Sequence, residues 1–321
     1  MPGTMIAPED LALLVVPVPT GTADVGVGGA DVRAGAESSA RPVVLDVRWR
    51  LTGPPGREDH AARRIPGAVF VDLDTELSAG PALPGPGGRH PLPEPAALQR
   101  VLRAAGISED DRLVVAYDDG DGSVAARAWW LLRWAGLAPD RVRVLDGGFA
   151  GWDAAGLPVA GTSGDAAEPS PLPEGDVVVR PGAMPVVDAD GAAALARDGA
   201  LLDARAAARY RGETEPVDPR AGHVPGARNV PAASLAGPDG RRLPGDVLAD
   251  RFRAAGVTAG APVGAYCGSG VNACATVQAL EDAGLTTPEA PAALYPGSWS
   301  EWSADPERPA AVGDRPWAAR E

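Results

Sequence analysis

The sequence predicts an α/β fold in which two tandem domains each contain a parallel sheet flanked by helices. Short apolar runs, such as VVLDV at 43–47 and LVVAY at 113–117, alternate with Ala/Leu/Arg-rich segments such as AALQRVLRAAG at 96–106. This alternation of strand-like and helix-like patterns is typical of a parallel sheet that helices cover on both faces. The same pattern occurs twice along the chain in the same order, which indicates a duplicated domain.

The duplication is visible when the two halves of the chain are aligned. VVLDVRWR at 43–50 resembles ALLDARAAAR at 200–209, and LRAAGISEDDRLVVAYDDG at 102–120 resembles FRAAGVTAGAPVGAYCGSG at 252–270. The repeated unit is therefore about half of the chain, which is too long for a solenoid repeat and has the size of a whole domain.

A linker is predicted between the two copies. The stretch at 161–175 is rich in Gly, Ser, Pro and acidic residues and has no hydrophobic period, which is typical of a connecting segment. We therefore expect a first domain at 1–160, a linker at 161–176 and a second domain at 177–321. In sheets of this kind, ligands bind at the carboxyl ends of the strands.

The composition excludes several classes of function. The 321 residues include 29 basic side chains, all of them arginine, against 43 acidic ones, which gives a formal net charge of −14. The absence of lysine excludes Schiff-base chemistry and lysine-dependent phosphate loops. The negative charge argues against nucleic acid as a partner. Two Cys and three His are too few for a structural zinc site or a disulfide framework, so we expect no metal and no cofactor.

No membrane association is expected from the sequence. The apolar stretch at 11–19 is far shorter than a bilayer span and contains proline. Glu9 and Asp10 precede this stretch, whereas a secretory signal begins with basic residues. We therefore expect a cytoplasmic protein, in which a cysteine stays reduced and is available as a reagent.

Cys267 is the candidate nucleophile. It follows the apolar run PVGAY and precedes GSGVNACATVQALEDAG, a segment of helical pattern, so the cysteine lies in a turn between a strand and a helix. Gly268 and Gly270 allow the backbone to turn tightly and direct N–H groups at the sulfur, which favours a thiolate. The equivalent residue of the first half is Asp118, a carboxylate that cannot replace the thiol, so we expect the first domain to be noncatalytic.

A cysteine in such a turn is also found in phosphatases, whose C-x5-R loop ends in an arginine that binds phosphate. The position of that arginine is Ala273 here, which cannot hold a phosphate. The loop therefore indicates sulfur chemistry rather than phosphoryl chemistry.

The motifs of this chain resemble those of the tandem-domain rhodanese family, and the loop CGSGVNA at 267–273 resembles the CGSGVTA loop of its 3-mercaptopyruvate sulfurtransferase branch. The resemblance spans nearly the whole chain. The supporting motifs are DVR at 46–48, IPGA at 65–68, DAR at 203–205, RYRG at 209–212 and HVPGARN at 223–229. The resemblance implies that Cys267 takes a sulfane sulfur from a small anionic donor, becomes a persulfide, and passes the sulfur to a thiol, cyanide or protein acceptor.

The resemblance also implies roles for the residues around the cysteine. Arg209 corresponds to an arginine that binds the anionic donor, and Arg220 is the candidate for a second one, although two extra residues separate it from Arg209. The remaining candidate substrate-binding residues belong to the loop itself: Gly268, Gly270, Val271 and Asn272.

Ser269 corresponds to a serine that assists mercaptopyruvate in this family as part of a Ser-His-Asp arrangement. The family's histidine directly before IPGA is replaced by Arg64. We therefore expect Arg64, together with Asp59, to be the contribution of the first domain to the site.

Two alternatives to a mercaptopyruvate-preferring enzyme remain open. The protein could be a thiosulfate sulfurtransferase, or a persulfide-carrying regulatory module with little turnover. The neutral loop residues after the cysteine favour mercaptopyruvate, because related loops that use the thiosulfate dianion place cationic side chains there. The segment 15–40 has the composition of an inserted flexible loop.

Overall fold

The computed structural model describes residues 3–15, 41–80, 87–119 and 121–317. The segment 15–40, interpreted above as an inserted loop, therefore lies outside the described residues except for Val15. The candidate site residues all lie within the described ranges.

The described elements are short and alternate along the chain. Those of the first half are β1 (Met5–Ile6), α1 (Pro8–Val15), β2 (Val43–Asp46), α2 (Gly56–Ala62), β3 (Val69–Phe70), α3 (Pro95–Ala104), β4 (Val114–Tyr117), α4 (Ser123–Trp134), β5 (Val142–Leu145) and α5 (Gly148–Ala154). Those of the second half are α6 (Ala189–Asp198), β6 (Ala200–Asp203), α7 (Ala207–Tyr210), β7 (Arg228–Asn229), α8 (Gly245–Ala254), β8 (Val263–Tyr266), α9 (Asn272–Asp282), β9 (Ala293–Leu294) and α10 (Ser298–Trp302). Among these helices, none has both the length and the apolar character that crossing a bilayer requires.

Each half contains its own parallel sheet, which confirms the predicted fold class. The first sheet has the strand order β1-β5-β4-β2-β3 and the second has the order β7-β6-β8-β9. All strand pairs in both sheets are parallel. The central strands are buried along their whole length, which explains why they read as continuous apolar runs in the sequence.

The helices between the strands cover the sheets with their apolar faces. In α3, Leu98 and Leu102 are one turn apart and fully buried, whereas Arg100 on the opposite face is exposed. Residues 161–176, the predicted linker, contain no helix or strand, and the guanidinium of Arg103 binds the carbonyl oxygens of Asp176 and Val177. The chain that joins the two halves is thus fastened to the first of them.

The two halves repeat one buried polar cluster in atomic detail. In the first half, Tyr117 donates a hydrogen bond of 2.8 Å to Asp46, and Arg48 forms an ion pair of 2.6 Å with the same carboxylate. In the second half, Tyr266 donates a hydrogen bond of 2.5 Å to Asp203, and Arg205 forms an ion pair of 2.7 Å with that carboxylate. Burial and the adjacent carboxylate raise the pKa of both tyrosines well above its ordinary value, so both hydroxyls stay protonated and donate.

The two halves pack against each other through α4 and α9. Trp129 and Trp130 of α4 are fully buried in a hydrophobic cluster that also contains Ala273 and Val277 of α9. Because the helix α9 begins directly after the cysteine loop, this packing brings the first half next to Cys267.

Candidate active site

Cys267 lies at the carboxyl end of β8, directly before the loop that leads into α9. Its side chain is almost entirely buried, and its Sγ accepts a hydrogen bond of 3.1 Å from the backbone N–H of Gly270. The sulfur therefore faces the beginning of α9, where backbone N–H groups and the helix dipole favour negative charge. This is the position that the sequence predicted for a nucleophile.

The loop requires glycine where it turns. Gly270 has φ of +79°, and a Cβ atom there would lie 2.5 Å from the carbonyl oxygen of Pro296. A larger residue would meet both a disfavoured backbone conformation and a clash. Val271 is buried in the hydrophobic core and Asn272 is exposed at the first position of α9, so the loop presents mainly its backbone to the sulfur.

The short helix α10 fastens the loop from the other side. Ser298 accepts a hydrogen bond of 3.1 Å from the backbone N–H of Cys267 and donates one of 2.9 Å to the carbonyl oxygen of Tyr295. The N–H groups of Trp299 and Ser300 donate to the carbonyl oxygens of Cys267 and Gly268, each at 2.9 Å. These contacts fix the orientation of the loop, which preorganises the sulfur for attack.

Ser269 is connected to a histidine and a carboxylate of the first half. Its Oγ lies 2.8 Å from Nδ1 of His90, and Nε2 of His90 lies 3.1 Å from Oδ1 of Asp74. Trp49 donates a hydrogen bond of 2.9 Å to the other oxygen of Asp74. The three side chains form a Ser-His-Asp relay next to the cysteine.

The direction of proton transfer in this relay follows from the partners of the ring. An ionised carboxylate only accepts hydrogen bonds, so Nε2 of His90 carries the proton toward Asp74, and Nδ1 accepts from the hydroxyl of Ser269. Burial lowers the pKa of His90 below its ordinary value, although Asp74 acts in the opposite direction. His90 is therefore neutral near pH 7 and able to take up a proton from Ser269.

Two guanidinium groups converge on Gly268, the residue directly after Cys267. A Cβ atom built on Gly268 would lie 2.9 Å from Nη2 of Arg89 and 3.5 Å from Nη1 of Arg209. Asp218 lies between them, because it forms ion pairs with Arg89 and, at 3.0 Å, with Arg209. Arg209 also pairs with Glu215 at 2.5 Å. The donor-binding position predicted for Arg209 is therefore next to the cysteine loop.

The comparison with protein-family models identifies the two halves. The model of the Rhodanese-like domain matches residues 31–155 and 188–305. The first match covers the first sheet except its edge strand β1, and the second covers the whole second sheet and contains Cys267.

The chain belongs to the rhodanese family.

The relatives of this rhodanese chain are sulfurtransferases. It is 49% identical over 278 residues to a protein of Pseudomonas aeruginosa named as a probable 3-mercaptopyruvate sulfurtransferase, with 85% of this chain and 93% of the relative covered. It is 44% identical over 291 residues to a Mycobacterium tuberculosis protein named provisionally as thiosulfate sulfurtransferase SseB, with 87% and 94% covered. The chain is thus a tandem-domain sulfurtransferase.

A crystal structure of a 3-mercaptopyruvate sulfurtransferase, SseA from Escherichia coli, has the same fold. The TM-score is 0.69 at 28% identity, and the match covers 92% of this chain and 99% of the other. The similarity therefore extends over both rhodanese domains rather than over the second domain alone.

The histidine of the relay comes from a segment of the first rhodanese domain that the sequence analysis did not select. Arg64 forms an ion pair of 2.6 Å with Glu168 and donates to the carbonyl oxygen of His60, and Asp59 pairs with Arg50. These partners all belong to the first half and the linker. Arg64 and Asp59 therefore do not supply the interdomain contact that was expected of them.

Arg220 does not face the donor-binding position, contrary to the expectation for a second substrate-binding arginine. Its guanidinium binds four backbone carbonyl oxygens at distances between 2.6 and 2.9 Å, which belong to Trp302, Ser303, Asp305 and Arg308. Arg220 therefore caps the end of α10 and holds the segment that follows this helix. Arg89, rather than Arg220, stands beside Arg209.

A fully buried arginine of the first rhodanese domain lies beneath the loop. Arg127 of α4 donates to the carbonyl oxygen of Gly270 at 3.3 Å and to that of His90 at 3.1 Å.

Cys274 is also fully buried, and burial raises the pKa of its thiol to about 12. Cys274 therefore packs as a protonated thiol, whereas Arg127 connects the cysteine loop to the segment that carries His90.

The first rhodanese domain retains the loop but fills it with its own carboxylate. Asp118, at the position of the nucleophile, accepts hydrogen bonds from the backbone N–H groups of Gly122, Val124 and Ala125 at 3.0 to 3.1 Å. These donors at the beginning of α4 correspond to the anion-binding end of α9. That this domain is noncatalytic stays a prediction, and the carboxylate at the position of the thiol is its basis.

The residues that sequence reasoning missed are Asp74, Arg89, His90 and Arg127. Three of them lie in irregular segments with no periodic pattern. The composition was the available signal for His90, because a chain with three histidines offers few partners for Ser269. His90 also lies in the segment GGRHP at 87–91, which the alignment of the two halves left unassigned.

Proposed function

We propose that this protein transfers a sulfane sulfur from 3-mercaptopyruvate, and more slowly from thiosulfate, to a thiol, cyanide or protein acceptor through a persulfide on Cys267. The observation that carries this proposal is the position of the Ser269–His90–Asp74 relay directly beside the nucleophile, because this relay can serve a donor whose leaving group needs a proton. A carrier of sulfur without turnover has no need of such a relay.

In the first half-reaction, the Cys267 thiolate attacks the sulfur atom of 3-mercaptopyruvate. A new S–S bond forms and the C–S bond of the donor breaks, with its electron pair passing to the carbonyl group to give the enolate of pyruvate. The enolate takes up one proton and becomes pyruvate, while the cysteine carries the transferred sulfur as a persulfide. No oxidant or reductant is consumed.

The relay supports the departure of this enolate. The Ser269 hydroxyl passes the proton of the donor's thiol to the neutral Nδ1 of His90, and the imidazolium then donates to Oγ, so that the hydroxyl can donate to the oxygen on which negative charge develops. The N–H of Gly270 faces the sulfur of Cys267. Asp74 stabilises this imidazolium, which returns the proton of the donor's thiol through Ser269 to the enolate as pyruvate forms. The carboxylate of the donor binds the arginine pair beside Gly268.

Thiosulfate is the second donor candidate, which the name of the Mycobacterium relative and the two guanidinium groups support. In that reaction the sulfur–sulfur bond of thiosulfate breaks and sulfite leaves with the electron pair. Sulfite needs no proton to leave, so Ser269 and His90 offer this donor less assistance. We therefore propose 3-mercaptopyruvate as the preferred donor.

In the second half-reaction, the acceptor attacks the outer sulfur of the persulfide and restores the Cys267 thiolate. A thiol, cyanide or a cysteine of a partner protein fits this role. We propose the cytoplasm as the location of the reaction, because both cysteines are free and thiols stay reduced in that compartment.

The test is the value of kcat/KM for both donors with cyanide as the one acceptor at one pH. We expect the value for 3-mercaptopyruvate to exceed that for thiosulfate, and mass spectrometry of the donor-treated protein to show a cyanide-labile gain of one sulfur atom on Cys267. An equal or higher value for thiosulfate would reject the donor preference. Persulfide formation without turnover would indicate a sulfur carrier instead.

A further inference from the structure

The segment before His90 is held in one place by the second half of the chain. The backbone N–H of Gly87 donates to Glu301 at 2.8 Å, and that of Arg89 donates to Ser300 at 3.1 Å. Gly88, with φ of +72°, passes so close to α10 that a Cβ atom would lie 2.3 Å from the carbonyl oxygen of Gly297. The backbone of Arg89 is therefore fixed against the same helix that fixes the cysteine loop.

The side chain of Arg89 uses only part of its hydrogen-bonding capacity on the protein. Nη1 pairs with Asp218, whereas Nη2 makes no hydrogen bond to any residue that the structure describes and lies beside Gly268. Arg209 is arranged in the same way, since its Nε and Nη2 bind Glu215 and Asp218 and its Nη1 faces Gly268. Each guanidinium thus presents one free amino group to the space above the loop.

One buried carboxylate supports both arginines. Asp218 has only 2% of its side chain exposed, and burial raises its pKa above the ordinary value. Because this carboxylate binds both arginines, it holds their planes at a fixed separation and offsets the repulsion between their charges. The result is a pair of donors, one from each rhodanese domain, that matches an anion with several oxygen atoms.

We propose that Arg89 is a specificity-determining residue that binds the anionic end of the sulfur donor together with Arg209. This proposal rests on the proposed sulfurtransferase function. It gives Arg89 the role of second donor-binding arginine, which the sequence analysis expected of Arg220. The carboxylate of 3-mercaptopyruvate carries one negative charge and is served by Arg209 with partial help from Arg89. The sulfonate end of thiosulfate belongs to a dianion and needs both guanidinium groups.

Arg89 therefore sets the ratio between the two donors. Removing its charge weakens the binding of thiosulfate more than that of 3-mercaptopyruvate. The reaction of 3-mercaptopyruvate depends more on Ser269 and His90, which assist the departure of the enolate. A lysine at position 89 restores a positive charge without the planar pair of donors, so it recovers the binding of a dianion in part.

The experiment compares wild type with Arg89→Gln, Arg89→Lys and the control Arg63→Gln, which removes an exposed arginine paired with Asp153. For Arg89→Gln we expect kcat/KM to fall about 10-fold or more with thiosulfate and about 3-fold with 3-mercaptopyruvate, mainly through KM. Arg89→Lys recovers part of the thiosulfate loss and Arg63→Gln changes neither donor. Unchanged values for both donors in a folded Arg89→Gln protein, or equal losses for both, would overturn the proposal.

A second measurement separates this proposal from the proposed function. Sulfate, at constant ionic strength, is expected to slow the alkylation of Cys267 by iodoacetamide in the wild type, and to slow it several-fold less in Arg89→Gln. This assay needs no turnover, so an inactive wild type would reject the sulfurtransferase function and leave the anion site testable. If sulfate protects neither protein, or protects both equally, Arg89 does not bind the anion.

Discussion

The hydroxyl oxygen of Ser269 lies 2.8 Å from Nδ1 of His90, and the two residues belong to different halves of the chain. The hydrogen-bonded series Ser269–His90–Asp74 thus forms only when the two rhodanese domains are packed together. We expect His90→Asn to lower kcat with 3-mercaptopyruvate by about 10²-fold, the lower range for a lost acid–base group, and kcat with thiosulfate less than 10-fold. Similar losses for both donors would show that His90 only supports the fold.

The pH dependence of donor choice follows from the burial of His90. Its pKa is lowered from the ordinary value of ~6.5, so the neutral base persists below that pH and is lost only as the pH falls further. We expect the ratio of kcat/KM for 3-mercaptopyruvate to that for thiosulfate to stay constant above pH ~6.5 and to decrease at lower pH. Steady-state profiles with both donors give this ratio, and a decrease that begins above pH 7 would contradict it.

The two cysteines differ in their surroundings and are expected to differ in function. Cys267→Ser abolishes sulfur transfer, since no thiolate remains in the loop. Cys274→Ser keeps activity within about 3-fold, because the buried Cys274 thiol has a raised pKa and a serine hydroxyl can keep the contact with the carbonyl oxygen of Gly270. Cyanide-dependent turnover of both variants is the measurement, and comparable losses would reject Cys267 as the sole sulfur carrier.

Arg209→Ala is expected to lower kcat/KM for both donors about 10- to 150-fold, as the loss of a charged hydrogen bond of about 1.5–3 kcal/mol implies. The matched control is Arg211→Ala, which removes a neighbouring arginine that pairs with Glu213 at the surface. Melting curves show whether both variants fold. If the folded Arg209 variant retains full kcat/KM, this guanidinium does not bind the donor.

Arg127 is expected to matter for both stability and rate. In Arg127→Met, the carbonyl oxygens of His90 and Gly270 lose their buried donor, which costs about 1–3 kcal/mol of unfolding free energy. Because both carbonyls belong to active-site segments, kcat should fall while KM for the donor changes little. Arg197→Met, at an exposed position of α6, is the control. Urea denaturation and steady-state kinetics test both parts, and an unchanged kcat would limit Arg127 to a stabilising role.

The fold was predictable because its signals are local and occur twice. The buried central strands read as apolar runs, and their terminal residues Asp46 and Asp203 occupy equivalent positions in both sheets. The cysteine loop was predictable for the same reason, since a strand, a glycine-rich turn and a helix follow one another in sequence.

The interdomain part of the site was not predictable from local patterns. Asp74, Arg89 and His90 lie in irregular segments, and their positions depend on how α4 packs against α9. The expectation that Arg64 replaces the relay histidine relied on one motif, and the structure supplies a histidine from elsewhere. The position of Arg220 was not predictable either. Two extra residues precede it, and its guanidinium binds carbonyl oxygens of the chain after α10.

The carboxylate of Asp118 is hydrogen-bonded by the N–H groups that would otherwise face a thiolate. We therefore expect the first rhodanese domain to carry no transferred sulfur, since its own carboxylate occupies the position of the thiolate. The expected loading is then one labile sulfur per chain, although the fold is present twice. The first copy instead places Asp74 and His90 beside the cysteine loop of the second copy, so the duplication encloses one cysteine loop instead of forming two independent ones.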